Sequence, residues 1–161
     1  ILNTPRFNIF IDSIRFISKR PLIGWGSSTF PEVNRMLGMR SNITHAHNLP
    51  LEIACNYGII SSILLIIIFL FIVLKSLYLE LKLKKIDTYL SDYKYKKSYF
   101  IFDKAWISAA IVLGISQLLD IQYYDLRISL AMWIILGGLR AYINEINYIK
   151  KRSIINNSLF N

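Results

Sequence analysis

An all-α, polytopic membrane bundle is the fold class this sequence predicts, and three observations carry it. The chain is 54% hydrophobic and only 18% charged, where soluble domains run near a quarter charged. Its apolar residues are clustered, with no charge from Ile53 to Leu74, and a bilayer-crossing helix needs about 20 such residues. Two further apolar runs, Ala105–Leu119 and Ile128–Leu139, are bounded by charged residues. The expected architecture is a helical bundle fragment with three transmembrane helices and a polar, helical loop outside them. The chain opens at Ile1 without an initiator Met, so we expect the C-terminal part of a longer protein. The first apolar run comes too late and is too long for a signal peptide.

Residues 1–20 predict one amphipathic helix. Thr4-Pro5 offers a cap followed by Pro at the first helical position. Phe7, Phe10, Ile14 and Ile17 recur at helical spacing, and Pro21 ends the pattern. Gly24 and Gly26 flank Trp25 in a tight turn. Thr29 and Glu32 have capping-box spacing for a short second helix. Residues 38–44 are loop-like. A helix is then expected from about Asn48, continuous with a first span over 53–79. Gly58, Ser61 and Ser62 are small residues suited to close packing there. The lone Cys55 reads as a small buried residue.

A Lys-rich loop follows over 80–100. The second span covers 101–119 with Lys104 snorkelling, since Ala105–Leu119 alone reaches only about 22 Å as a helix. A link over 120–127 leads to a third span over 128–146, with Arg140 snorkelling. The tail, 147–161, is Asn-rich and expected to be disordered.

Charge sets the orientation. Residues 75–104 hold eight Lys, the tail three Lys/Arg, and the link one Arg. By the positive-inside rule the first two are cytoplasmic and the link is outside, which puts residues 1–52 outside as well. That segment carries six Lys/Arg, against the rule, although long loops count for less in it. The net charge of +9 is not read as nucleic-acid binding, because its lysines lie beside the spans.

The outside segment holds both histidines, His45 and His47, with Arg6, Arg15, Arg20, Arg35 and Arg40. Imidazoles beside guanidiniums at a membrane surface suit an anionic, lipid-linked substrate. Arg binds phosphate bidentately and keeps its charge, while His can take a proton from a nucleophilic hydroxyl. Three other readings stand beside this one. His45, His47 and Glu52 could gather round zinc, Asp120, Asp125 and Arg127 could line a transport path, and the chain could be a non-catalytic assembly protein.

The stretches RFNIFIDSIRFISKRPLIGWGSSTF and HAHNLPLEIACNYGIIS resemble the O-antigen ligase family of membrane glycosyltransferases, whose relatives include O-antigen polymerases and pilin oligosaccharyltransferases. The matching positions are Arg6 with Phe10, Pro21 to Gly26 with Phe30, and His47-Asn48 with Gly58. The likeness covers residues 6–80. Phe10 stands where Trp is commoner, and Ser61 where Gly, Thr or Tyr is usual. The ending SQLLDIQYYDLRISLAMWIILGGLR resembles cyanobacterial members, some of which bear an inorganic-carbon-transport label.

The resemblance implies metal-independent glycosyl transfer without a cofactor, at the periplasmic face of a bacterial inner membrane. The implied donor is a glycan on undecaprenyl diphosphate, and the implied acceptor a sugar hydroxyl of lipid A-core or another glycan. Membrane lipid is a partner and nucleic acid is not. His47 is the implied general base and Arg6 the holder of the diphosphate leaving group. Asn48 would orient His47, and Gly24 and Gly26 would let backbone N–H groups approach a phosphate. Arg20, Arg35 and Arg40 are further candidates for binding substrate.

Overall fold

The computed structural model describes residues 5–38, 44–87 and 96–159, with side chains at 6–38, 44–82 and 104–148. Among these residues the structure is helical, without strands. The helices are α1 (Pro5–Lys19), α2 (Phe30–Met36), α3 (Leu49–Tyr57), α4 (Ile59–Asp87), α5 (Lys96–Leu119) and α6 (Leu126–Leu159). The chain divides into two compact units. One comprises Ile1–Ile68 with Gly114–Ser129, the other Phe69–Leu113 with Leu130–Asn161.

In the first unit α1 packs on α3. The core joins Phe16, Phe30, Val33, Ala46 and Cys55, with Ile17, Trp25, Leu37 and Leu51 against it. Burying Phe16, 1% exposed, is worth roughly 1.5–3 kcal/mol. The buried face of α1 is Ile9, Ser13 and Phe16, at i, i+4, i+7 spacing. The expected stripe lies elsewhere: Phe7, Phe10 and Ile14 are exposed, and only Ile17 of that stripe joins the core. Both sets satisfy the helical period. Ser13 fits inside because its hydroxyl donates to Ile9 O at 2.8 Å.

The 21–26 turn clamps onto the end of α3. Trp25 N–H donates to Cys55 O at 2.9 Å, Gly26 N–H to Asn56 O at 3.0 Å, and Ile59 N–H to Pro21 O at 2.8 Å. The Trp25 indole N–H adds a bond to Phe16 O at 2.9 Å. Two glycines make the approach possible. A Cβ on Gly24 would lie 2.5 Å from Asn56 C, and one on Gly58 would lie 2.0 Å from Leu22 O. Gly58, at φ 87°, also separates α3 from α4, where the sequence predicted one continuous helix. Ser62 Oγ donates to Pro50 O at 2.7 Å across this break.

The expected capping box at α2 does not form. Thr29 Oγ1 donates to Gly26 O at 2.8 Å, and Glu32 pairs with Arg35.

In the second unit Leu79, Ile143 and Ile146 form a cluster with Ile72 and Tyr142. The buried Glu80 accepts from Tyr142 Oη at 3.2 Å and lies 3.9 Å from Lys104 Nζ, so Lys104 has a carboxylate partner rather than only a snorkelling stem. Trp106 covers Gly138, where a Cβ would come within 2.7 Å of the ring.

Among the described residues, two helical segments are long and apolar enough to cross a membrane, Ile59–Lys82 and Leu126–Tyr148. Only 17% and 22% of their windows are buried, unlike the core helix of a soluble protein. Side chains such as Ile63, Leu64, Ile67 and Phe71 stand exposed, an apolar surface that calls for lipid. The expected second span is helical, but its apolar stretch, Lys104–Leu119, is shorter. The Lys-rich region continues α4 to Asp87 and resumes helix at Lys96, its centre lying outside the described residues. The tail expected to be disordered is instead helical to Leu159.

Candidate functional site

The site is built on the loop before α3. Asn48 is extended, at φ −157°, and caps α3 by accepting from Leu51 N–H at 3.1 Å. Its side-chain amide donates to Leu118 O at 3.0 Å, which ties the loop to the end of α5. Asn48 thus acts on the backbone at both ends of its side chain, not on His47 as expected.

His47 takes a left-handed backbone, φ 50°, at a cost of about 1–2 kcal/mol for a residue with a Cβ. Its neighbours hold it there. Ala46 N–H donates to Glu52 Oε2 at 2.8 Å, and His47 Nδ1 lies 3.0 Å from Asp120 Oδ1.

Glu52 is 2% exposed. Besides Ala46 it receives Asn56 Nδ2 at 3.1 Å and the Tyr124 hydroxyl at 3.2 Å. A carboxylate is tolerated in such a place only when donors satisfy it. The network joins the loop, α3 and the link after α5 within one unit. Burial, followed by the charge of Glu52, pushes the Tyr124 hydroxyl up to about 12. The same two causes, in the same order, push the Cys55 thiol up to about 12.

Asp120 sits just past α5. The hydrogen bond with His47, then that from Ile121 N–H, holds its carboxyl below the usual range. It is therefore ionised at neutral pH and can only accept. The facing His47 Nδ1 must then donate, so in the neutral ring Nε2 is the nitrogen left to accept a proton.

The other expected residues are dispersed. Arg6 is exposed on α1. Arg20 stacks over the Trp25 ring at 4.4 Å and lines, with Pro21 to Gly24, an open groove of about 350 Å³. Arg35 pairs with Glu32. Arg40 lies outside the described residues. Among the described residues no hydrogen bond or ion pair joins Arg6 or Arg20 to His47. The N–H groups of Gly24 and Gly26 are bonded to Arg20 O and Asn56 O. Gly24 therefore serves close packing and Gly26 a positive-φ turn, φ 100°, rather than offering N–H groups to a phosphate.

The metal reading changes membership. His45, His47 and Asp120 each bring a ligand atom within 4.8 Å of the others, whereas Glu52 is committed to the buried network. Of the three charges considered for transport, Asp125 pairs with Arg127 at 2.9 Å, which holds its carboxyl low, and Asp120 pairs with His47.

Sequence reasoning did not find the Asp120–His47 pair or the Glu52–Asn56–Tyr124 network. The available signals were an acid ending an apolar run and a single Glu inside an apolar helix.

Together the fold and the site define a helical protein with two described helices long and apolar enough to cross a membrane and a carboxylate–histidine pair that joins the loop before α3 to the turn after α5. Residues 1–66 match the family model of the O-antigen ligase (Wzy_C) family, which bears out the resemblance over the segment that carries His47. Neither a curated protein nor a solved structure matches the chain. The cyanobacterial likeness of the ending lies beyond the matched residues.

Proposed function

We propose that this chain belongs to an O-antigen ligase-like glycosyltransferase, with His47 as general base and Asp120 as its positioning residue. The observation that carries this reading is the His47–Asp120 contact of 3.0 Å in a chain whose first 66 residues match that family. Asp120 fixes the tautomer that leaves Nε2 basic. Nε2 takes the proton of an acceptor sugar hydroxyl as that oxygen attacks the anomeric carbon and the lipid diphosphate leaves. Arg6, exposed and permanently charged, meets the growing negative charge on the leaving group. The donor in this reading is a glycan on undecaprenyl diphosphate, and the acceptor is lipid A-core or, for a polymerase of the same superfamily, another glycan. No step requires a metal. Residues 1–52 face the periplasm of a bacterial inner membrane.

The test compares the full-length protein with His47→Ala and Asp120→Asn in cells, followed by glycan transfer in membranes. His47→Ala should lower kcat about 100-fold or more, the range of a lost general base. Asp120→Asn should lower kcat less, leave KM unchanged, and be partly rescued by Asp120→Glu. Normal glycan attachment in His47→Ala cells would refute the mechanism.

A further inference from the structure

The unit that holds His47 also holds a second imidazole with no role in the proposed transfer. His45 and His47 rings lie 4.0 Å apart, edge to face. His45 Nδ1 is shielded from water and has no hydrogen-bond partner. A ring nitrogen from each histidine and a carboxylate oxygen of Asp120 lie within 4.8 Å of one another. Donor atoms around a tetrahedral zinc at about 2.0–2.1 Å stand roughly 3.3 Å apart. His47 Nδ1 and Asp120 Oδ1, at 3.0 Å, are already near that spacing, and small side-chain rotations bring in His45. Two imidazoles and one carboxylate form a borderline donor set that suits Zn²⁺ and leaves its fourth position to water.

We propose that His45, His47 and Asp120 form an inhibitory site for Zn²⁺ or a similar divalent transition-metal ion. The ion enters between His47 Nδ1 and Asp120, where the proton sits in the metal-free state. Displaced from Nδ1, that proton passes through water to Nε2, so the ring stays neutral but changes tautomer. Nε2 then carries a hydrogen and has no lone pair for a sugar hydroxyl. The same coordination removes Asp120 as the orienting partner. Binding of the ion stands on the geometry alone, while inhibition rests on the proposed role of His47.

The experiment uses the purified full-length protein with Zn²⁺ in titration calorimetry, and with Co²⁺ as a spectroscopic probe. Wild type should bind one Zn²⁺ with micromolar or tighter affinity and give the visible bands of tetrahedral Co²⁺. His45→Ala and His45→Gln should each weaken binding at least 10-fold. Unchanged binding in both, or no wild-type binding below millimolar Zn²⁺, would overturn the site. In transfer assays Zn²⁺ should suppress wild type reversibly with a chelator. His45→Gln should keep its chelator-treated activity and lose zinc sensitivity. Zinc that binds wild type yet leaves transfer intact would overturn the inhibitory role. A parent protein without transfer activity would refute the proposed function, and the calorimetry would still decide the site.

Discussion

At the scale of single residues, the centre of interest is a loop whose polar groups are nearly all committed. Ala46 N–H is held by Glu52, His47 by Asp120, and Asn48 by Leu51 and Leu118. The His47 ring keeps one nitrogen for chemistry because the other is occupied. Below this loop lie two groups whose ionisation the fold opposes. Cys55 is raised from 9.0 to about 12 and Tyr124 from 10.0 to about 12. A raised pKa of this kind leaves stability untouched below the unfolded value. Stability then falls as pH climbs toward the folded value, because only the unfolded chain releases the proton. The protein in detergent should therefore lose thermal stability between about pH 9 and 12, and Cys55→Ser with Tyr124→Phe should flatten that loss. A thermal-shift series across pH checks it, and a flat wild-type profile would refute the assignment.

At the scale of elements, glycine placement decides how the helices meet. Gly58 is the only residue type that fits between Leu22 O and the α3–α4 break, since it combines φ 87° with no room for a Cβ. Gly58→Ala should cost about 1–3 kcal/mol for the positive-φ, extended backbone alone, with a further loss from the clash. A reduced melting temperature and a protease-sensitive 21–26 turn would check this. Sequence period found α1 but chose its wrong buried face. Phe7, Phe10 and Ile14 outweigh Ile9 and Ser13 in hydrophobicity, yet the deciding factor was a serine hydroxyl that satisfies itself on Ile9 O. The break at Gly58 was hidden for a related reason. A glycine among apolar residues reads equally as a packing position in a span, and only the positive φ shows otherwise. His47 was legible from its motif. Asp120 was not, because its partnership spans 73 positions and no local pattern encodes it.

At the scale of the whole molecule, exposure of apolar side chains along Ile59–Lys82 and Leu126–Tyr148 fits a chain that lives in lipid. The Lys/Arg bias supplies the expected sidedness, with residues 75–104 in the cytoplasm. Thr44, exposed at the edge of the His47 loop, offers a test. In a Cys55→Ser background, Thr44→Cys should react with a membrane-impermeant maleimide added to cells with permeabilised outer membranes. Labelling only after the inner membrane is broken would reverse the proposed topology.

The long-range pairing of His47 with Asp120 also has a consequence in time. A ribosome releases His47 well before Asp120, with α3, α4 and the whole of α5 still to be made between them. Throughout that interval the loop has its Glu52 anchor but neither Tyr124 nor Asp120. The nascent chain thus carries an unfinished site for that interval, and His47 meets its carboxylate partner only after all of α5 has been made.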